Sequence, residues 1–234
     1  MVSRIIFISI FLTITGYCFA QKTKSPYQHD NFFGKVKLVV ESGLNESETQ
    51  AGQLRTDTLI LDSSRYNANG ELAERVFYSS IGNNKLGFNS KYVYISKFDE
   101  KGNKIETALY KNSKIVGFYY DAKGNMTTLE GYFPDGKLSY RNRYLYDGNG
   151  NQVVENSFND KDSLKTVRKY IFDNKGNATQ QNNYYADSRF NNTVFYNYTR
   201  FDQKGNWLER HTIVKLKNRK QSKGIKTIRQ IIYY

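Results

Sequence analysis

The sequence predicts an all-β protein: consecutive β-hairpin repeats that form a long, twisted antiparallel meander sheet able to curl toward a half-barrel. Three observations predict it. An aromatic–Asp–x–x–Gly–Asn motif recurs five times, as Phe98–Asn103, Tyr120–Asn125, Tyr146–Asn151, Phe172–Asn177 and Phe201–Asn206. The stretches between copies are rich in Tyr, Phe, Val and Ile that alternate with polar residues. The motif aspartates lie 22, 26, 26 and 29 residues apart, room for two strands and two connections but no crossover helix.

Each motif copy is a turn. The Asp carboxylate can accept a hydrogen bond from the backbone two residues on, and Gly supplies the left-handed residue of a type I turn with a bulge. The turn-forming residues are therefore Asp99 and Gly102, Asp121 and Gly124, Asp147 and Gly150, Asp173 and Gly176, and Asp202 and Gly205. A degenerate copy opens the series at Tyr66–Glu71. One Asp-x-x-Gly is commonplace; five copies with an aromatic in front and Gly-Asn behind define a repeat.

Residues 1–20 read as a secretory signal peptide: Arg4, an apolar run from Ile5 to Ile14, and Cys18-Phe19-Ala20 before a cleavage point at Gln21. The run is too short for the ~20 residues of a membrane-spanning helix. Cys18, the only cysteine, is a poor lipoprotein acceptor because Tyr17 precedes it, and cleavage leaves the mature chain without a thiol. Residues 21–33 form a polar leader expected to be disordered. The repeat domain is 34–234, opening with strands at 34–41 and 57–62 and polar loops at 42–56 and 79–90. From Lys91 the repeats run to Trp207, and a last hairpin pairs Trp207–Leu216 with Ile225–Tyr234 across a basic loop. Along 137–146, Leu138, Tyr140, Asn142, Tyr144 and Tyr146 share one face, and Ser139, Arg141, Arg143 and Leu145 the other. One face packs and one is wet.

The motif copies resemble the Rhs or YD-repeat family, and Glu130–Leu138 is more weakly similar to MORN-like antitoxin repeats. The first resemblance covers Tyr66 to Trp207. It implies β-strand-rich repeats, which in large members wrap into shells around toxins, and it links the chain to a toxin-shell or antitoxin system.

Chemistry is sparse. The two histidines, His29 and His211, have no motif partners, and no His-Glu-x-x-His, Gly-x-Ser-x-Gly or phosphate-binding glycine loop is present. Each turn offers one carboxylate, whereas calcium needs several converging oxygens. No catalytic residue, metal or cofactor is expected. The candidate ligand-binding residues are the aromatic row Tyr120, Tyr144, Tyr146, Phe172 and Phe201, able to stack on sugar rings or a partner protein. The charge of +13 favours anionic partners. The expected function is a non-catalytic, exported binding or scaffolding module of the cell envelope, periplasmic or secreted. It would act on an envelope glycan or protein through its aromatic face and basic loops, with no nucleic acid and no transmembrane span. The alternatives are a polysaccharide-acting enzyme and a relative of a toxin-shell or antitoxin system.

Overall fold

The computed structural model describes residues 23–24, 31–48, 54–82, 85–110, 113–217 and 223–234. The expected signal peptide lies outside them. Two short strands, β1 (Thr23–Lys24) and β2 (Asn31–Phe32), pair with each other. Fourteen more follow: β3 (Val36–Glu48), β4 (Leu54–Tyr66), β5 (Leu72–Gly82), β6 (Lys85–Phe98), β7 (Lys104–Tyr110), β8 (Ser113–Tyr120), β9 (Met126–Tyr132), β10 (Leu138–Tyr146), β11 (Gln152–Asn159), β12 (Leu164–Phe172), β13 (Ala178–Tyr185), β14 (Phe190–Phe201), β15 (Trp207–Leu216) and β16 (Lys223–Tyr233).

The meander is as expected, since each strand from β3 pairs antiparallel with the next. The open or half-closed sheet is corrected: β16 pairs with β3, joining Arg229 to Glu41 and Ile231 to Val39, and the fourteen strands form a closed barrel. Strand twist coils a long sheet, and closure satisfies both of its edges at once. The C-terminus is thus an integral strand, with Tyr234 N–H bonded to Lys35 O at 3.1 Å.

Two expected loops are mostly strand. The pairing of β3 with β4 continues to Glu48↔Leu54, and that of β5 with β6 to Gly82↔Lys85. Polar side chains hid this, because ladder hydrogen bonds belong to the backbone and tolerate polar residues in an outlying hairpin arm.

The turns match their expected chemistry. Asp99 N–H bonds Asn103 O at 2.9 Å and Gly102 N–H bonds Asp99 O at 3.0 Å. The Asp99 carboxylate accepts from the backbone of Lys101 (2.9 Å) and Asn103 (2.7 Å), and the Asn103 amide closes on it at 3.1 Å. The same pair of backbone bonds occurs nine times among the described residues. Six copies line one rim of the barrel. The other three, at 133–137, 159–163 and 185–189, lie on the opposite rim. In two of them a non-glycine residue takes the left-handed position: Asp162 (φ 56) and Ser188 (φ 65).

The six-turn rim is plugged. Phe32, Tyr66, Leu72, Met126 and Ala178, all within two residues of a turn or of the N-terminal segment, are buried there, and Trp207 joins them. Asn206 stitches chain ends to the plug: its Oδ1 accepts from Phe33 N–H at 2.7 Å, while its Nδ2 donates to Phe33 O at 2.9 Å and to Tyr233 Oη at 2.6 Å. The leader expected over 21–33 therefore ends in packed residues, Phe32 being 3% exposed.

Two outcomes follow for stability. Ser188→Gly relieves a left-handed serine and raises stability by about 1 kcal/mol, whereas Gly150→Ala, whose Cβ meets nothing within 4 Å, loses about as much through backbone strain alone. Denaturant midpoints measure both. The Asn103 N–H bond holds the Asp99 carboxyl below its ordinary value. The stability it adds is present above the ordinary Asp range near ~4 and is lost as pH falls through the depressed folded value. Asp99→Asn is expected to flatten the acid limb of a stability-versus-pH curve between about pH 5 and 2.

Candidate functional site

Register decides which side chains enter the lumen. On β10, Tyr144 faces in and sits opposite Glu155 of β11, while Arg141, Arg143 and Leu145 face out. This is the expected alternation. The aromatic face, however, is turned inward by closure and is no flat exposed row. Tyr144 is buried. Tyr120 and Tyr146 pack against the core, the Tyr120 hydroxyl donating to Glu106 and that of Tyr146 to Met126 O at 2.8 Å. Phe172 is half-buried. Phe201, at 36% exposure, lies under the Lys175 ammonium, 5.3 Å from the ring centroid. Phe98, the first member of the series, is 68% exposed. The row is spread around the plugged rim.

Across β6 to β10 the lumen is filled. Phe118 and Ala108 are fully buried, and the Tyr94 and Phe118 rings pack at 6.1 Å. Glu106, 1% exposed, takes a hydrogen bond from Ser96 Oγ at 3.3 Å and an ion pair from Lys104 Nζ at 2.7 Å. Glu155, on β11, receives Arg168, the Tyr170 hydroxyl (3.1 Å) and Asn142 Nδ2 (3.3 Å). Burial and the Glu155 charge push the Tyr144 and Tyr170 hydroxyls well above their ordinary pKa.

On the other side a cavity of about 420 Å³ remains, between β3–β5 and β12–β16. Its floor, toward the plugged rim, is Ala178 and Tyr198, whose hydroxyl bonds Ala178 O at 2.9 Å. Ile60, 49% exposed, and Gly43 mark the end toward the opposite rim. Phe77, Tyr170, Tyr196 and Tyr198 supply aromatic walls; Gln181, Thr212 and Thr227 supply polar groups. None of the five candidate ligand-binding aromatics lines it.

The charges in and beside this cavity come mostly in pairs. Asp62 takes Arg75 Nε at 2.7 Å and its Nη2 as well. Glu41 takes Arg229 across the closing seam, and the Arg229 guanidinium lies 3.4 Å from the Trp207 ring centroid and 5.0 Å from that of Phe32. Arg210 differs. Its guanidinium lies 4.6 Å from the Trp207 ring centroid and 5.2 Å from that of Tyr196, and its Nε is buried without a hydrogen-bond partner among the described residues. Sequence reading missed these residues. Glu41, Arg210 and Arg229 sit at alternate positions of ordinary-looking strands, and nothing local says that those positions face inward.

His211 faces outward beside Glu209, at 3.2 Å, and takes no part in the cavity. No group of three or more metal-ligating side chains occurs among the described residues.

Arg229→Leu leaves Glu41 as an uncompensated charge and is expected to cost about 3–5 kcal/mol, whereas the double change Arg229→Leu with Glu41→Leu recovers most of it. Chemical denaturation of the three variants as a double-mutant cycle measures the difference.

The fold has a counterpart among solved structures. A porin-like protein from Bacteroides uniformis superposes with a TM-score of 0.51 over 84% of this chain and 96% of that one, at 14% identity. At such identity the likeness shows the fold alone. A putative outer membrane lipoprotein-sorting protein domain from Vibrio parahaemolyticus (TM-score 0.36, 11% identity, 87% of each chain) and the Tc holotoxin pore of Photorhabdus luminescens (TM-score 0.21, 12% identity, 75% of this chain and 12% of that one) match too loosely to carry an argument. No family model and no curated protein matches the chain.

Proposed function

We propose that this chain is an exported, non-catalytic binding barrel of the cell envelope that takes a small ring-bearing molecule, such as a glycan fragment, into its lumen. The observation that carries the reading is the 420 Å³ cavity walled by four aromatic rings inside a barrel plugged at one rim. That volume falls in the range of small-molecule sites, about 300–1,000 Å³. It is far too small for a folded toxin, so if the turns reflect kinship with YD repeats, this barrel uses them for a container of another scale. Export rests on the signal-like first twenty residues. The absence of catalysis is supported by the engagement of both cavity carboxylates, Asp62 by Arg75 and Glu41 by Arg229, which leaves neither as a free acid or nucleophile.

A second reading, a membrane pore, is favoured by the polar groups inside the barrel and by the porin-like neighbour. The outer wall opposes it. Lys91 and Lys97 on β6, Arg143 on β10, Lys169 on β12 and Lys215 on β15 all face out and are exposed. A cation facing lipid at the bilayer midplane costs about 2–4 kcal/mol, and pore-forming barrels carry an outward apolar band instead.

Isothermal titration with 1-naphthol tests the lumen. One molecule is expected to bind per chain. Thr227→Phe, which narrows the cavity by a phenyl ring, should weaken that binding severalfold and leave the melting temperature within a few degrees. Equal binding by the narrowed variant, or none by the parent, would reject the reading.

A further inference from the structure

Inside the barrel, each carboxylate of the cavity has its own arginine, and one arginine is left over. Arg75 serves Asp62 and Arg229 serves Glu41. Arg210 lines the same cavity, and its guanidinium has two rings beside it but neither an ion pair nor a side-chain hydrogen bond among the described residues. A guanidinium carries five donors and keeps its charge at any physiological pH. The Arg210 side chain is half-buried, its Nε is shut off from solvent without a partner, and two cation–π contacts of about 0.5–2 kcal/mol each offset only part of what a missing counter-charge costs. The same cavity is lined by Gln181 and Thr212 and by the Tyr196 and Tyr198 hydroxyl oxygens, whose protons go to Gln181 Oε1 and Ala178 O.

We infer that the cavity is an anion site, and that its ligand is a ring compound bearing one carboxylate or phosphate group, which pairs with Arg210. The inference rests on the lumen being the binding site. The formal charge of the side chains involved supports it: two carboxylates against three guanidiniums leave one positive charge for the ligand to neutralise. Planar two-fold acceptance by a carboxylate or phosphate suits an arginine fork, and the ring body of the ligand suits the walls of Phe77, Tyr170 and Tyr196. Tyr196 is oriented for this, since its hydroxyl already bonds Gln181 Oε1 at 2.7 Å and its ring faces Arg210.

Isothermal titration of the full chain with a matched set, 1-naphthol, 1-naphthoate and 1-naphthyl phosphate, tests it. At least one acid is expected to bind about tenfold or more tighter than the neutral naphthol, with the advantage shrinking as salt rises. The tighter of the two acids identifies the group as carboxylate or phosphate. In Arg210→Gln the acids are expected to fall to the level of naphthol, while naphthol itself binds as before. Should that variant fail to fold, Arg210→Lys, which keeps the charge and loses the fork, is expected to retain only part of the advantage, and the parent's acid-to-naphthol ratio decides by itself. Equal affinity for all three probes would overturn the anion site while leaving the lumen reading intact. An acid preference that survives in Arg210→Gln would also overturn it. Binding of none of the three would remove both.

Discussion

The antiparallel pairing of β16 with β3 is the constraint on which the molecule depends. It joins residues almost two hundred positions apart, and without it the other thirteen strand pairs would make a ribbon with two raw edges. Closure gives every hairpin an inside. It also sets the radius, and with fourteen strands that radius exceeds what side chains fill. The surplus is met unevenly: aromatic rings and small residues pack the β6–β10 side, the Asn206 stitch and Trp207 plug one rim, and the remainder is left as the cavity.

The lumen is held by rings and charges together. Tyr and Phe dominate the aromatic content of the chain, 20 and 15 residues against a single Trp. A tyrosine fills apolar space with its ring and reaches a polar partner with its hydroxyl. Here those partners are Glu106, Glu155, Gln181 and the backbone carbonyls of Met126 and Ala178. Buried carboxylates in turn need cations or donors, and Lys104, Arg168, Arg75 and Arg229 answer them. Arg210 stands outside this scheme, stacked between rings with no carboxylate of its own.

The outer wall mixes apolar and charged side chains. Exposed apolar residues such as Ile95, Leu145, Ile171 and Ile213 are interleaved with Lys97, Arg143, Lys169 and Lys215 on the same strands. Charged and apolar side chains thus share the outer face of the same strands.

Much of the fold was legible from residues alone. Asp147 with Gly150, and its counterparts, specify turns through a carboxylate acceptor and a left-handed glycine, both local effects within five residues. The alternation Tyr140, Asn142, Tyr144 against Arg141, Arg143, Leu145 specifies two faces through the two-residue strand period. The hairpins and the integral last strand follow from these. Only the tertiary structure decided the rest. Whether the sheet stays open or closes depends on accumulated twist and on edges meeting across the whole chain, which no window of sequence contains. The site has the same origin: Glu41, Asp62, Arg75, Arg210 and Arg229 lie on five different strands, and each reads locally as an ordinary charged strand residue. Asp62 and Arg75 meet across one hairpin, but the Glu41–Arg229 pair, and the placing of Arg210 in the same cavity as Asp62 and Arg75, exist because closure brings the first and last strands of the barrel side by side.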